Sequence, residues 1–523
     1  MICSFSFFAF QIELMLVLLI SFIISLLKIN ANNPVGCITS TYDANIDYFP
    51  DKISLSTADN FTIEYFNSYK IIKTDAYTHS YYGAIPAQKL LLFQCGTPLP
   101  TSTLYDDYTK IEIPISNFGL YSSTFIPFIE VLGHRTNITG VNGKSYISSP
   151  CLISEFSNIQ ELYDSSSWSM NVTAANVSDA QVIFTSTTLE SDNNAGAKLV
   201  AVPEHQELEL NGVVEYLKFF GAFLNKESEA TALSNTIIDR VTCISNKQIN
   251  SNIKTLTNKK IIWGYYSSWS GGWDLGECPN YYCEAISLAG ATILEYKAIL
   301  GGATRVLTDA EFKQVASTAD IFIYTDTYTT WNSLYAANKV LLDQIPAVQN
   351  KLVFGVHGQG SNDWFEGRLL EPDVLIEDLL SAIAMSESNL IVNHQPVWIV
   401  PIYLPSGEIS NAGQYGRGTC IDVNEPKLLQ ADNCDNLMIS LLEDAVEKDD
   451  DDDDNTIIVA VAVSLSVIII ILFSLQCYTF KRLKDEQIPF LPLSQNDAVD
   501  KNHEITLSQN DAVDKNHELT TTK

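Results

Sequence analysis

The sequence predicts an α/β protein whose two lobes are joined by a long helix. Short apolar runs that are typical of strands alternate with helix-like segments through residues 32–448, and this alternation favours βα units over a sandwich or a barrel. The stretch is long enough for two domains of ordinary size. Because the clearest helical periodicity lies over residues 212–247, the sequence predicts an N-terminal lobe over residues 32–211 and a C-terminal lobe over residues 248–442.

Apolar runs predict the strands of both lobes. They lie at residues 90–93, 111–115 and 182–184 in the first lobe and at residues 261–266, 321–324, 352–356 and 397–402 in the second. A helix-like segment at residues 124–132 follows one of these runs, as expected of a βα unit.

Asn225 divides the connecting segment into two predicted helices. Apolar residues recur at helical spacing on both sides of it, at Val213, Leu217, Phe220 and Leu224 before it and at Ala230, Leu233, Ile237 and Val241 after it. The first helix is expected to begin near Gly212, and the second to extend from about Glu227 to Ser245. At 1.5 Å per residue the second helix would be about 28 Å long, which is enough to bridge two lobes.

An apolar segment near the N-terminus predicts export from the cytosol. Residues 14–27, followed by Ala31, resemble a secretory signal peptide that occupies residues 1–31. An uncleaved signal anchor is the alternative, because Glu13 adjoins the apolar run and no Lys or Arg precedes it.

A second apolar segment predicts a single transmembrane helix over residues 456–480. Its uncharged part, residues 457–475, would extend about 28 Å and so match a bilayer core. An acidic juxtamembrane spacer precedes it at residues 443–455, and three basic residues, Lys481, Arg482 and Lys484, follow it. The positive-inside rule therefore predicts a single-pass type I protein of the plasma membrane or another membrane of the exocytic pathway.

The predicted cytosolic tail, residues 481–523, contains a tandem repeat. Residues 493–506 and 507–520 are nearly identical and polar. Two such copies are too few and too hydrophilic for a solenoid, so a duplicated disordered segment is favoured over a motif that docks a partner.

The charge balance excludes a general nucleic-acid-binding protein. The chain has 62 acidic residues against 31 Lys and Arg, a net charge of −31, whereas phosphate binding needs clustered basic side chains. Since 46% of the residues are hydrophobic, the chain is also unlike a disordered acidic protein.

The cysteines and glycosylation motifs agree with export. Eight cysteines lie between the two apolar segments, at Cys37, Cys95, Cys151, Cys243, Cys278, Cys283, Cys420 and Cys434. Their even number predicts disulfides without fixing the connectivity, and we expect the local pairs Cys278 with Cys283 and Cys420 with Cys434. Asn-x-Ser/Thr motifs predict glycosylation at Asn60, Asn137, Asn171 and Asn176.

Four stretches of the chain are similar to one known family. They read YFPDKISLSTADNFTIEYFNSYKII at 48–72, LLLFQCGTPLP at 90–100, VPEHQELELNGVVEYLKFFGAFLNKESEA at 202–230 and HGQGSNDWFEGRLLEPDVLIEDLL at 357–380. The family that they resemble is the ABC-type periplasmic substrate-binding proteins for ferric siderophores and cobalamin, over roughly residues 37–402. This resemblance implies the class III fold, with two Rossmann-like lobes joined by a long helix and a ligand held in the cleft between them.

Side chains that follow the predicted strands are the candidate ligand contacts. They are Tyr121, Trp269, Trp273, Tyr328, Trp331, His357, Trp364 and Arg368. Ligands of open α/β sheets bind beyond the carboxyl ends of the strands, and aromatic walls with one or two cations suit a metal chelate. Any single Trp is more often a core residue than a ligand contact, Arg368 could pair with Glu366 or Glu371, and His357 could be a capping residue or a metal ligand. We expect no resident cofactor.

The resemblance also bears on a possible permease partner. Bacterial members of the family dock on an ABC permease through one acidic residue on each lobe. Glu311 stands at about that place in the second half, whereas Thr173, within the motif at Asn171 and close to Asn176, occupies it in the first. Docking on an ABC permease is therefore not expected.

The sequence thus predicts a membrane-anchored cell-surface receptor that captures a metal chelate of the ferric siderophore, haem or cobalamin type for uptake. One alternative is an adhesion or signalling ectodomain that retains the fold without a ligand pocket. An enzyme is a further alternative, although the P-loop, HExxH and GxSxG patterns are absent from the sequence.

Overall fold

The computed structural model describes residues 32–79, 83–155, 157–167, 169–186, 196–251, 258–302, 306–326, 329–404, 406–409, 420, 422 and 434–441. All of them belong to one compact unit, Met1–Glu447, and a second unit, Lys448–Lys523, lies outside the described residues. We call the elements before the long connecting helix the N-terminal lobe and those after it the C-terminal lobe.

The N-terminal lobe contains two main sheets. Its strands are β1 (Phe61–Tyr65), β2 (Tyr69–Thr74), β3 (Tyr77–His79), β4 (Gly83–Ile85), β5 (Gln88–Gln94), β6 (Thr109–Ile113), β7 (Phe118–Leu120), β8 (Ile138–Val141), β9 (Gln160–Glu161), β10 (Tyr163–Asp164), β11 (Ser169–Met170), β12 (Val182–Thr185) and β13 (Lys198–Ala201). The first sheet has the order β1-β2-β5-β6 and is parallel only between β5 and β6, whereas the second is fully parallel with the order β13-β12-β7-β8-β9. Two small hairpins, β3-β4 and β10-β11, complete the lobe.

The helices of this lobe and of the connection are short except for the last. They are α1 (Ile126–Val131), α2 (Pro150–Ser154), α3 (Val172–Val177), α4 (Leu210–Val214), α5 (Tyr216–Leu224) and α6 (Glu227–Asn250). Asn225 ends α5 in the left-handed conformation, with φ of 54°, which Asn tolerates better than most residues. Helix α6 therefore begins where the sequence predicts it, and at 24 residues it is about 36 Å long.

The C-terminal lobe is built on one mixed sheet. Its strands are β14 (Lys260–Ser267), β15 (Gly272–Leu275), β16 (Thr292–Ile293), β17 (Val306–Leu307), β18 (Ile321–Tyr324), β19 (Val353–Gly355), β20 (Leu390–Val392), β21 (Val400–Pro401) and β22 (Ile439–Leu441). The sheet order is β17-β15-β14-β18-β19-β21, β16 pairs with β14 in parallel, and β20 pairs with β22 in a separate ladder.

Helices cover this sheet. They are α7 (Tyr281–Leu288), α8 (Tyr296–Leu300), α9 (Asp309–Ala316), α10 (Trp331–Leu342), α11 (Pro346–Gln349) and α12 (Pro372–Met385). Single 3₁₀ turns lie at Thr103–Tyr105, Ser123–Phe125, Arg135–Asn137, Lys144–Tyr146, Glu204–Gln206, Gly367–Leu370 and Cys434–Asn436. The predicted α/β class is confirmed, because the predicted apolar runs form β5, β6, β12, β14, β18, β19 and β21.

The two lobes share part of their cores. Phe219, Phe220 and Phe223 of α5 pack among the buried side chains of the N-terminal lobe, and Leu369 and Leu370 of the C-terminal lobe belong to the same cluster. Burial of apolar surface is the main force in folding, so this shared cluster holds the lobes together beside the connecting helix.

Four disulfides join the eight cysteines. The expected local pair Cys278–Cys283 is present, and Cys37 bonds Cys95. The expected pair Cys420–Cys434 is wrong, since Cys420 bonds Cys151 and Cys434 bonds Cys243. The prediction assumed that cysteines close in sequence pair with each other. In the structure Cys420 lies against α2 of the N-terminal lobe, whereas the 3₁₀ turn at Cys434 lies against α6.

Several predicted segments lie outside the described residues. They are the signal peptide at 1–31, the acidic spacer at 443–455, the transmembrane segment at 456–480 and the tail at 481–523 with its repeat. Within the described ranges, no helix has the length and apolar character needed to cross a membrane.

Candidate functional site

Each lobe has a topological switch point, which is a position in the parallel sheet where the order of the strands reverses. In the N-terminal lobe the parallel strands lie in the order β9-β8-β7-β12-β13, so the first strand, β7, lies between the second and the fourth. In the C-terminal lobe the parallel strands lie in the order β16-β14-β18-β19, with the first strand, β14, between the second and the third. The crevice at the carboxyl ends of such strands is where open α/β sheets bind ligands.

A cavity of about 610 Å³ lies at this position in the C-terminal lobe. It is lined by Trp263, Gly264, Tyr265, Asp274, Leu275, Gly276, Glu277, Asn280, Tyr282, Thr325, Asp326, Trp364 and Phe365. Gly264 pairs with Tyr324 at the carboxyl end of β18, so Thr325 and Asp326 extend directly from that end into the wall. The volume is within the range of sites for small molecules, about 300–1,000 Å³.

Stacked aromatic rings form one wall of this cavity. Trp263 stacks on Tyr282 with 4.7 Å between ring centroids. Tyr282 is nearly parallel to Trp364, at 6.2 Å and an interplanar angle of 9°. Trp263 and Trp364 are buried, whereas Phe365 is 44% exposed. The wall therefore combines fixed rings with one ring that a ligand can cover.

Arg368 supports this wall from within the protein. Its guanidinium carbon lies 4.7 Å from the ring centroid of Trp364 and 5.2 Å from that of Tyr282. Nε–H donates to the carbonyl oxygen of Trp364 at 3.0 Å, and an Nη2–H donates to the hydroxyl of Tyr282 at 3.3 Å. Arg368 is buried and does not line the cavity. Among the residues that the structure describes, no carboxylate forms an ion pair with it, so the aromatic rings provide its main electrostatic contacts.

A smaller cavity of about 180 Å³ is shared by the two lobes. The N-terminal lobe contributes Ser122, Ser123, Asn142, Gly143, Tyr146 and Ile147, and the C-terminal lobe contributes Asn362 and Phe365. Phe365 lines both cavities. The two spaces therefore adjoin at this side chain, and together they form the candidate site.

Hydrogen bonds fasten the lobes beside this junction. The carboxylate of Glu366 accepts the backbone N–H groups of Ser148 and Ser149, each at 2.9 Å. The hydroxyl of Ser148 donates to Asp363 at 2.7 Å. Because these bonds involve a charged acceptor, they are stronger than bonds between neutral groups, and they hold the loop that carries Trp364 and Phe365 against the N-terminal lobe.

The predicted ligand contacts fall into different environments. Trp364 lines the larger cavity. Tyr121 follows β7 and is buried, with its backbone N–H bonded to the carbonyl of Phe184 at 2.7 Å. Trp269 lies in the turn between β14 and β15 and is 98% exposed. Tyr328 lies outside the described residues.

Two of the predicted tryptophans are core residues. Trp273 is fully buried, stacks on Phe312 at 3.7 Å between ring centroids and donates its Nε1–H to Asp309 at 2.9 Å. Trp331 is buried, and its Nε1–H donates to the hydroxyl of Tyr403 at 3.2 Å. Neither residue lines the larger or the smaller cavity, so neither belongs to the proposed site.

His357 does not line the larger cavity but contacts Asp326, which does. Burial lowers its pKa, and a hydrogen bond to the backbone of Asp326 opposes that shift. In the described ranges no three side chains of His, Cys, Asp or Glu are grouped as a metal site would require.

Several lining residues were not singled out from the sequence. Trp263 falls inside an apolar run, where it reads as core, and Tyr282 lies one residue before Cys283 on α7. Asp326 is the second residue after β18. A search of the first two positions after each predicted strand would have found Asp326, whereas Tyr282 is brought into the wall only by the packing of α7.

Among the predicted docking and glycosylation residues, Glu311 and Asn171 take part in helix capping. Glu311 forms a capping box with Thr308 at the start of α9. Asn171 caps α3, on which Thr173 is exposed. Asn60 and Asn137 are half-buried, and Asn176 is exposed.

The comparisons with known proteins give distant likenesses. No family model matches the chain. An uncharacterized lipoprotein of Methanocaldococcus jannaschii is 26% identical over 311 residues, which cover 57% of this chain and 72% of that protein. The chain is also similar to a periplasmic heme-binding protein from Pseudomonas aeruginosa, with 11% identity, a TM-score of 0.42 and coverage of 55% of this chain and 97% of that one. FhuD2 from Staphylococcus aureus with bound ferrioxamine B gives 13% identity, a TM-score of 0.39 and coverage of 52% and 99%.

The predicted localisation as a single-pass type I membrane protein is wrong. The matched relative from Methanocaldococcus jannaschii is named a lipoprotein and not a single-pass membrane protein. The part of the chain that the structure describes contains no helix able to span a membrane.

Proposed function

We propose that the chain is a solute-binding protein that captures a metal chelate, of the ferric siderophore, haem or cobalamin type, in the cleft between its lobes. The observation that carries this proposal is the aromatic cavity at the carboxyl ends of β14 and β18, which adjoins a second cavity lined by both lobes. The resemblance of residues 37–402 to chelate-binding proteins supports the same function.

The lining suits the outer surface of a chelate. A metal that is saturated by its own chelator presents apolar faces and peripheral oxygens to a protein. Trp263, Tyr282 and Trp364 offer ring surface to those faces. On the opposite lobe, Ser122 and Ser123 line the smaller cavity, and a serine hydroxyl can donate to a peripheral oxygen.

The ligand contacts predicted from the sequence have different roles in this proposal. Trp364 would contact the ligand directly, and Arg368 would act as a positioning residue because it holds Trp364 and Tyr282. Tyr121 and Trp269 line neither cavity and remain predicted contacts, as does Tyr328, which lies outside the described residues. His357 would act through Asp326, whose backbone it contacts.

Fluorescence titration tests the proposal, because two tryptophans lie in the cavity wall. The purified protein would be titrated with ferrioxamine B, haem and cyanocobalamin while tryptophan emission is recorded. We expect at least one of them to bind with a Kd below about 10 µM, roughly −7 kcal/mol. Weaker binding by all three would contradict the proposal.

A further inference from the structure

The carboxamide of Asn142 carries an unpaired oxygen in the wall of the smaller cavity. Its Oδ1 is buried, and within the part of the chain that the structure describes this atom accepts no hydrogen bond. Asn142 lines the smaller cavity, where the two lobes meet. Because the large majority of buried polar side-chain atoms in proteins have a hydrogen-bond partner, this oxygen has a capacity that the described chain does not use.

The backbone of Asn142 is tied on both sides. Asn142 directly follows β8. Its N–H donates to the carbonyl oxygen of Leu120 at 2.9 Å, and its own carbonyl oxygen accepts the N–H of Tyr163 at 3.0 Å. The side chain therefore extends from a fixed point at the carboxyl end of β8, which is the edge of a parallel sheet at which ligands bind.

The cavity distinguishes Asn142 from another asparagine. Oδ1 of Asn211, on α4, is also buried and has no hydrogen-bond partner among the described residues. Asn211, however, lines neither cavity. Of these two carboxamides, only that of Asn142 adjoins the space in which the proposed ligand lies.

The groups around Asn142 in the smaller cavity are neutral. Ser122, Ser123 and Tyr146 line it with hydroxyl-bearing side chains, and Asn362 adds a carboxamide from the opposite lobe. A carboxylate that entered here would lose water without gaining a cation from these side chains, which is costly. A neutral group that can both donate and accept hydrogen bonds suits this lining better.

We infer that the captured chelate presents a neutral amide to the smaller cavity and that an N–H of this amide donates to Oδ1 of Asn142. This inference rests on the proposed function and narrows its ligand to chelates with amide groups at their periphery. The carbonyl oxygen of the same amide can accept from a hydroxyl of the lining. Carboxylates, such as those of haem, only accept, so they would leave Oδ1 unpaired.

Chelates with and without amide N–H groups test the inference in the wild-type protein by calorimetric titration. Ferrioxamine B contains secondary amides, and a derivative methylated at those nitrogens lacks their N–H groups. Cyanocobalamin carries primary amides, whereas haem carries carboxylates. We expect ferrioxamine B or cyanocobalamin to bind tightest, which identifies the kind of amide, and haem to bind about tenfold more weakly or less, a difference of about 1.4 kcal/mol. If ferrioxamine B binds, methylation should raise Kd about tenfold or more.

Asn142→Leu removes the carboxamide and keeps a side chain of similar size. We expect it to raise the Kd of the tightest amide-bearing chelate about tenfold and to change the Kd of haem less than about threefold. Asn211→Leu is the matched control, because it removes an equally unpaired carboxamide at a position that lines neither cavity. It should leave every Kd unchanged. The comparison of chelates in the wild type decides the inference even if Asn142→Leu does not fold.

The outcomes separate this inference from the proposed function. Tightest binding of haem would overturn the inference and leave the proposed function standing. Equal binding of ferrioxamine B and its methylated derivative would do the same, as would an unchanged Kd of the amide-bearing chelates in folded Asn142→Leu. If none of these compounds binds, both fail.

Discussion

The guanidinium carbon of Arg368 lies 4.7 Å from the ring centroid of Trp364, and its Nε–H donates to the carbonyl oxygen of that same residue. One buried cation thus fixes both the backbone and the side chain of a cavity-lining residue. Contact with Tyr281 and Tyr282 extends the arrangement to α7. The shape of the aromatic wall therefore depends on a residue that does not line the cavity.

Replacement of this arginine tests its role. In Arg368→Lys the planar guanidinium becomes a compact and more strongly hydrated ammonium, which costs more to bury and cannot stack in the same way. We expect the free energy of unfolding in urea to fall by about 1–3 kcal/mol and the tryptophan emission to shift to longer wavelength. An unchanged spectrum and stability would show that the wall does not depend on Arg368.

A second prediction concerns the hydrogen bonds that Glu366 accepts from the N-terminal lobe. Glu366→Gln removes the negative charge that accepts the N–H groups of Ser148 and Ser149. Hydrogen bonds to charged groups contribute about 1.5–3 kcal/mol each, so we expect faster amide exchange at Ser148 and Ser149 and a lower free energy of unfolding. Glu64→Gln, at an exposed position of β1, is the control and should change neither quantity.

The buried pair at the start of α6 predicts a pH dependence of stability. Lys70 is fully buried, pairs with Glu227 and donates to Asn225 at 2.8 Å. Burial lowers the pKa of Lys70 to about 8, although Glu227 opposes the shift. Because the unfolded chain holds this proton up to about pH 10.5, the unfolded state binds more protons between pH 8 and 10.5, and the contribution of Lys70 to the unfolding free energy rises with pH there.

Denaturation at several pH values checks this dependence. The double variant Lys70→Met with Glu227→Gln leaves no charge at the site and removes the titration. We expect the stability of the wild type relative to this variant to increase by up to about 3 kcal/mol from pH 8 to 10.5. A constant difference across that window would contradict the assigned burial effect.

We expect removal of different disulfides to lower the free energy of unfolding by different amounts. Cys151–Cys420 joins residues separated by 269 positions, and Cys278–Cys283 joins residues separated by 5. A longer closed loop restricts the unfolded chain more. We expect Cys151→Ala with Cys420→Ala to lower the unfolding free energy by about 2–3 kcal/mol more than Cys278→Ala with Cys283→Ala does. Equal losses would show that local strain or packing outweighs loop closure.

Local sequence patterns predicted the elements but not the pairings between them. Strand β18 has the predicted bounds, and α6 begins at Glu227 as predicted after the break at Asn225, because hydrophobic periodicity and the conformational tolerance of Asn act within a few residues. The partner of Cys420 depends on how the two lobes meet, which no local pattern reports.

The sequence also predicted only part of the candidate site. Proximity to strand ends found Trp364, but it also selected Trp273 and Trp331, which pack in one buried cluster with Phe312 of α9 and Leu334 of α10. A Trp near a strand end can face either the sheet interior or the crevice, and its neighbours in space decide which. Trp263 is the opposite case, because it lies within a strand and still reaches the cavity.

The central claim, that a ligand is held at the junction of the two cavities, is tested most directly by calorimetric titration of Phe365→Ala with the tightest-binding chelate. Phe365 lines both cavities and is 44% exposed. Leu404 is equally exposed in the same lobe but lines neither, so Leu404→Ala is the matched control. We predict that Phe365→Ala raises Kd about tenfold or more and that Leu404→Ala leaves it unchanged. Equal Kd values for the wild type and both variants would contradict binding at this site.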